Sequence, residues 1–484
     1  MVLISAVIPK GRKAIRSSTS PIAPVAHLTV AERAARGKDA REKTPRSSHA
    51  DWKAVSSRPD PIDLLEAQSK TRVAELVPIR YGRMLASPFA FLRGAAVIMA
   101  SDLAGMPRSG LDAQLCGDAH LANFGIFAAP DRRLVFDIND FDETLPGPFE
   151  WDIKRLVTSF EVSGRGQGYD ARKRRAVSCM VSRSYRESMA HYAGKRNFDV
   201  WYLRTDVKEV IATLSSRLST KSLNQAKRDV AKDRMRDSLS AFEKLTRIVD
   251  GEPRFTSDPP LIVPVREIAD RKQSLETARA LIRSYGKTLS GDRQHLLNEF
   301  RFVDAARKVV GIGSVGTRCW ILLMLGRDND DPLILQLKEA DASALEPYLD
   351  KSQFASHGQR VVEGQRLMQA ASDTMLGWIE IDGFDGVKRD YYIRQLWDAK
   401  GSALVDAMAP KEMLAYAEIY GRTLARAHAR SGDAVAIASY LGTSDVFDNA
   451  IAEFAETYAD QNERDFDALK KAADSGRIVV QHGV

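Results

Sequence analysis

Two periodicities divide the chain. In residues 171–193, 206–218 and 222–249, apolar positions recur every three or four residues with dense Lys and Arg between them, the stripe of an amphipathic helix. Residues 274–297 and 359–371 continue this pattern, and 413–430 carries Leu414, Ala417, Ile419, Tyr420, Leu424, Ala427 and His428 on helical spacing. Between positions 309 and 396 the pattern changes to short continuous apolar runs. Cys319-Trp320-Ile321-Leu322-Leu323-Met324-Leu325 and Leu333-Ile334-Leu335-Gln336-Leu337-Lys338 flank a Gly/Asp/Pro turn, as buried strands do. Residues 374–381 and 390–396 add two more strands around Asp382-Gly383-Phe384-Asp385-Gly386. The pattern predicts an α+β protein: a helical region over 61–300, a β-rich region over 301–405, and C-terminal helices over 406–484 that pack back on the first. Charge runs such as Lys173-Arg174-Arg175 read as solvated helix faces, or as a positive wall that recruits an anionic acceptor.

Residues 117–123 read Gly-Asp-Ala-His-Leu-Ala-Asn, followed by Phe136-Asp137-Ile138-Asn139-Asp140-Phe141-Asp142. Asp118 can take a proton from an attacking hydroxyl, while the amide oxygen of Asn123 and the carboxylate of Asp140 can share Mg²⁺ held against nucleotide phosphates. Plainer readings stand beside these. Asp118 could cap a helix, and His120 could be a satisfied core histidine instead of a group that orients the loop or touches phosphate. Asp137 and Asp142 flank the metal position, where either could serve as a further carboxylate. Asp152 reads as a brace for the loop, and Cys116 as a buried hydrophobe.

These residues resemble the aminoglycoside and choline-type phosphotransferases of the protein-kinase-like superfamily. The matching pieces are Gly117 to Asn123, Asn139-Asp140-Phe141 and Trp151-Asp152-Ile153. The chain is also similar to an uncharacterised bacterial domain family, DUF2252, through Arg80-Tyr81-Gly82-Arg83-Met84, Ser87-Pro88-Phe89, Arg93-Gly94-Ala95-Ala96 and the Gly-Asp-x-His stretch. The first resemblance implies a two-lobe fold that grips ATP, with Asp118 and His120 in the catalytic loop and Asn123, Asp140 and Asp142 around Mg²⁺. Gly117 stands where protein kinases have Arg, which favours a small-molecule acceptor.

Nothing before residue 117 suits a nucleotide lobe; its parts come later. Val309-Val310 enters Gly311-Ile312-Gly313-Ser314-Val315-Gly316, where closely spaced glycines let backbone N–H groups approach anionic oxygens. The glycines lead into a strand and not a helix, which disfavours a dinucleotide-binding unit. Lys338 ends the next strand, placed like the lysine that pairs with α and β phosphates in kinases. Glu363, in the following helix, is expected to pair with Lys338. The resulting expectation is a circularly permuted kinase-like fold, with an interlobe hinge at Trp397-Asp398-Ala399-Lys400-Gly401. Arg318 stands where a protein kinase packs valine on adenine, leaving Val315 or a different loop register to serve.

Composition narrows the setting. At 484 residues, the chain exceeds one ordinary core. Its 44% hydrophobic and 28% charged content is that of a soluble globular protein, and no apolar run reaches membrane-spanning length. Three cysteines without paired spacing point to a reducing, cytoplasmic setting. The net charge of +7 resides entirely in residues 1–60, read as a disordered basic tail. A nucleic-acid role would rest on that tail alone. The absence of an acid before Glu32 resembles a transit peptide, with a solvated arm or an overcalled start as plainer readings. The sequence carries no signal of oligomeric state.

Three functional expectations follow. The first is an ATP- and Mg²⁺-dependent phosphotransferase acting on a small molecule, or an AMP-transferring relative using the same site. The second is a metal-dependent phosphohydrolase built on Asp118, His120, Asp137, Asp140 and Asp142, although only eight histidines are present to complete such a centre. The third is a nucleotide-sensing pseudoenzyme.

Overall fold

Strands β1 (Asp112–Leu115), β2 (Phe124–Ala128), β3 (Leu134–Ile138) and β4 (Leu145–Pro148) form two antiparallel pairs, β1 with β4 and β2 with β3. The Gly-Asp-x-His stretch therefore links β1 to β2, and Asp140 lies between β3 and β4. The computed structural model describes residues 27–234, 238–268, 271–382, 386–396, 401 and 408–483. The expected hinge at Trp397 to Lys400, the turn at 383–385 and the first 26 residues lie outside these.

After β4 comes the helix Phe149–Gly166, buried along nearly its whole length. It is sheathed by the helices Ala171–Ala193, Pro410–Ser431 and Val446–Asp474. Phe149, Ile153, Leu156, Tyr185, Tyr420 and Ile451 share this core. Among the described residues, no helix is long and apolar enough to cross a membrane.

The second layer begins earlier than position 301. The helices Thr220–Arg234 and Ser238–Leu245 replace the single helix expected over 222–249, whose last residues instead form β5 (Thr246–Val249). Strand β5 pairs with β6 (Glu252–Phe255) across Asp250-Gly251, both at positive φ, as a two-residue hairpin turn requires. Strand β7 (Ile262–Pro264) then joins β8 (Arg301–Lys308), β9 (Cys319–Leu325), β10 (Pro332–Glu339), β11 (Gly377–Asp382) and β12 (Lys388–Gln395). They make a six-stranded antiparallel sheet in the order β11-β12-β10-β9-β8-β7. The helix expected over 274–297 is two helices, Arg271–Gly286 and Gly291–Asn298.

Alternation along the strands gives the sheet two apolar faces. Leu322, Met324, Leu335, Leu337 and Ile393 pack with Leu281 and Tyr285 on one face. Ile321, Leu323 and Ile334 pack with Ala241 and Leu245 on the other. Gly401 bridges from the segment after β12 back to β2, exchanging hydrogen bonds of 2.8 and 2.9 Å with Ile126.

The disordered-tail expectation is corrected over its second half. Val30–Lys43 is a helix, opened by a capping box in which the Glu32 N–H donates to Thr29 Oγ1 and the Thr29 N–H donates to Glu32. It packs so closely on the helix Ala434–Leu441 that a Cβ at Gly37 would lie 2.1 Å from the Ala436 carbonyl. Farther on, His49 is buried and bonded at 2.7 Å to Tyr440 Oη. Arg36, Lys38 and Lys43 of this helix are exposed, whereas the part-buried Arg58 lies between Asp102 and Asp465, to which it donates.

Candidate active site

One face of the helix Phe149–Gly166 grips the loop that follows β1. Asp152, Arg155 and Ser159, three and four positions apart, project on the same side. Asp152 accepts hydrogen bonds from the Cys116 and Gly117 N–H groups at 2.8 and 3.0 Å, and its Oδ2 lies 3.3 Å from His428 Nε2. The Ser159 hydroxyl accepts from the Leu121 N–H at 3.0 Å. Arg155 Nε lies 2.5 Å from Asp118 Oδ1, while its Nη2 donates to the Leu92 carbonyl. Gly117 has φ +81°, and a Cβ there would lie 2.3 Å from the Glu143 carbonyl, so only glycine suits this turn.

Burial sets the protonation states. It lifts the Asp118 carboxyl to about 6 against the pull of Arg155, with Asp140 adding to the rise. His120 Nε2 stands 3.6 Å from Asp118 Oδ2. Burial, with Arg93 and Arg155 near, holds the His120 ring well below its usual pKa and therefore neutral. Asn123 donates from Nδ2 to the Asp118 carbonyl at 2.7 Å, which leaves the amide oxygen as the atom of that side chain able to ligate a cation.

The second wall comes from the sheet. Lys338 Nζ pairs with Asp142 Oδ2 and stands 3.7 Å from Asp140 Oδ2. Burial works against its charge, but the two carboxylates outweigh burial and hold the ammonium above the ordinary lysine value. Tyr392 Oη donates to Asp142 Oδ1 at 2.9 Å, and Ser314 Oγ lies 3.3 Å from Asp142 Oδ2. The loop walls and the sheet wall enclose one cavity of about 580 Å³. Asp118, His120, Asn123, Asp140, Asp142, Gly311, Gly313, Ser314 and Lys338 all line it. Arg93, Lys244, Lys308 and Arg394 add cationic groups to the same walls.

Three sequence-expected residues lie elsewhere. Glu363 pairs with Arg366 at 3.3 Å, and the Lys338 charge is met by Asp142 and Asp140. Its helix, His357–Met368, reaches the site through Arg360 instead, which donates to the Asp142 and Thr144 carbonyls at 2.8 and 2.7 Å. Gly316 does not line the cavity; its φ of +89° and its closeness to Arg72 make it a structural turn. Asp137, a possible further metal carboxylate, is buried against Arg426 and lies outside the cavity lining.

The glycine turn is held from behind. Arg72 donates to the Val315 and Gly313 carbonyls at 2.5 and 2.9 Å, and Arg83 to the Val310 carbonyl at 2.6 Å. Across a trans peptide, carbonyl and following N–H point opposite ways, so the Gly311 N–H is directed away from Arg83. Gly311 has an ordinary φ of −58° and open space around a would-be Cβ, so neither backbone nor packing demands glycine there. Reading by motif missed Arg72, Arg155, Arg360, Tyr392 and Arg394. The 152-155-159 spacing on a helix was a sequence signal for Arg155 alone.

No curated protein and no solved structure matches the chain. Residues 72–472 match the family described as an uncharacterized protein conserved in bacteria, DUF2252. That span runs from Arg72, behind the glycine turn, through both cavity walls to the last long helix, and the chain belongs to this family.

Proposed function

We propose that the protein is an ATP- and Mg²⁺-dependent phosphotransferase acting on a small acceptor, with a kinase-like nucleotide lobe that follows the catalytic loop in chain order. The observation that carries this reading is the meeting of Asp118, Asn123 and Asp140 with Gly311, Ser314 and Lys338 around one cavity. The order β8, glycine turn, β9, β10 with Lys338, helix, β11, β12 supports it, because kinases place their Gly-rich loop and lysine on such strands.

The walls suit the groups invoked. A cavity of about 580 Å³ falls in the range of small-molecule sites. The Asn123 oxygen and the Asp140 carboxylate are hard donors of the kind Mg²⁺ takes, and the open space at Gly311 permits close approach of a ligand. Bound Mg²⁺ would supply charge neutralisation between phosphate oxygens. Lys338 and Arg394 hold anionic oxygens, Asp118 accepts the acceptor's proton, Arg155 fixes the Asp118 side chain, and neutral His120 packs beside it. The phosphohydrolase alternative loses Asp137 to its ion pair with Arg426. The Asp118–Arg155 pair favours, as a second reading, a nucleotide binder without transfer, since Asp118 Oδ1 is already taken by the guanidinium and must loosen from it to receive a proton.

The test is calorimetry of ATP binding to the full chain, with and without Mg²⁺, for wild type, Lys338→Ala and Asp140→Asn. Mg²⁺-dependent binding weakened by both substitutions is expected, followed by release of ADP with acceptor. Release of pyrophosphate, with AMP left on the acceptor and no ADP formed, would instead assign nucleotidyl transfer. Absence of nucleotide binding by wild type would overturn the proposal.

A further inference from the structure

A second cavity, of about 670 Å³, opens on the face of the six-stranded sheet opposite Lys338. Its floor is apolar, made by Phe302 of β8, Trp320 and Leu322 of β9, and Leu337 of β10, with Ala278 and Leu281 of the helix Arg271–Gly286 as a wall. Strand alternation explains why the two cavities stay separate. Leu337 and Lys338 are neighbours, and the pleat sends one to each face. Sheet faces covered by a helix are normally filled by side chains at close-packed density. Here the space has the size of a small-molecule site.

The rim supplies a polar handle. Arg307 lines the cavity, and its Nη1 pairs at 2.6 Å with the exposed Glu75. Its Nε is buried and has no hydrogen-bond partner. A buried N–H without an acceptor is costly and rare. The Arg307 side chain keeps 20% of its surface exposed, so a ligand oxygen in the cavity would meet the terminal nitrogens of its guanidinium. The neighbouring guanidinium groups are engaged: Arg254 donates to the Val303 carbonyl at 2.6 Å, and Arg266 to Asp304 and the Phe255 carbonyl at 2.9 and 2.8 Å. The geometry points to a binding site for a small, ring-sized apolar molecule carrying one anionic oxygen group. Its rings rest on Trp320, Leu322 and Leu337, and its oxygen meets Arg307. The site stands apart from the Lys338 cavity and does not depend on phosphotransfer.

The test titrates the full chain with anilinonaphthalene sulfonate, read by fluorescence, and with phenylnaphthylamine, which has comparable rings and no anionic group. We expect one saturable sulfonate site, about tenfold tighter than the neutral probe. Arg307→Gln should remove that preference, and Thr277→Trp, at an exposed rim position, should block both probes. Melting curves establish that each variant folds; if Arg307→Gln does not, the two probes on wild type and the Thr277→Trp variant decide. The proposal is overturned by absence of saturable binding, by equal affinity of the two probes for wild type, or by binding indifferent to Thr277→Trp.

Discussion

Lys338 Nζ contacts Asp142 Oδ2 and stands 3.7 Å from Asp140 Oδ2, so a central strand of the sheet is tied by charge to the loop between β3 and β4. The lysine is almost fully buried, whereas the carboxylates keep 27% and 31% of their side-chain surface. Solvent at the acid end softens the loss, so Lys338→Met should cost about 3 kcal/mol, the low end for a broken buried pair. Adding Asp142→Asn should restore part of that loss, with a coupling of at least about 1 kcal/mol in denaturant melts. Strict additivity would mean the pair holds nothing together.

A general base acts in its ionised form. Burial lifts Asp118 to about 6, partly offset by Arg155, so it takes up its proton at milder acidity than an ordinary carboxylate. In the proposed reaction, kcat/KM should therefore decline as pH falls through about 6, while Asp118→Ala should lower turnover by about 10² to 10⁴ and leave ATP affinity largely intact. A pH–rate profile flat down to about 4.5 would place the proton elsewhere.

Two glycines separate scaffold from site. Gly117→Ala places a Cβ 2.3 Å from a carbonyl at φ +81° and should lower stability by at least about 1–3 kcal/mol. Gly311→Ala meets open space at an ordinary φ, so its melting temperature should stay near that of wild type while ATP binding weakens. Equal thermal losses for both variants would remove the argument that Gly311 is kept clear for a ligand.

Part of the cavity lining was legible in the sequence where side chains of distinct type stood at fixed spacing: Asp118, Asn123 and Asp140 in the loops, and Lys338 at the end of an apolar run. Strand β9 was equally plain, because Cys319 to Leu325 is uninterrupted and bounded by turn residues. The failures share a cause in long-range contact. Glu363 and Arg360 sit in the same helix, and only the packing of that helix decides which one reaches the Asp142 loop. Val30–Lys43 has little apolar periodicity of its own; its stability comes from docking on Ala434–Leu441, far along the chain. Thr246 to Val249 continues a helical stripe until the Asp250-Gly251 turn folds it against β6.

The grip of Arg72 and Arg83 on the Gly313, Val315 and Val310 carbonyls means that the shape of the glycine turn is stored outside the turn. Residues 301–345 transplanted into another scaffold would carry the glycines and the lysine without the splint that fixes their peptide planes. Within this chain, an alteration among the helices of residues 61–94 would register in the cavity through guanidinium groups that no scan of the motif would select.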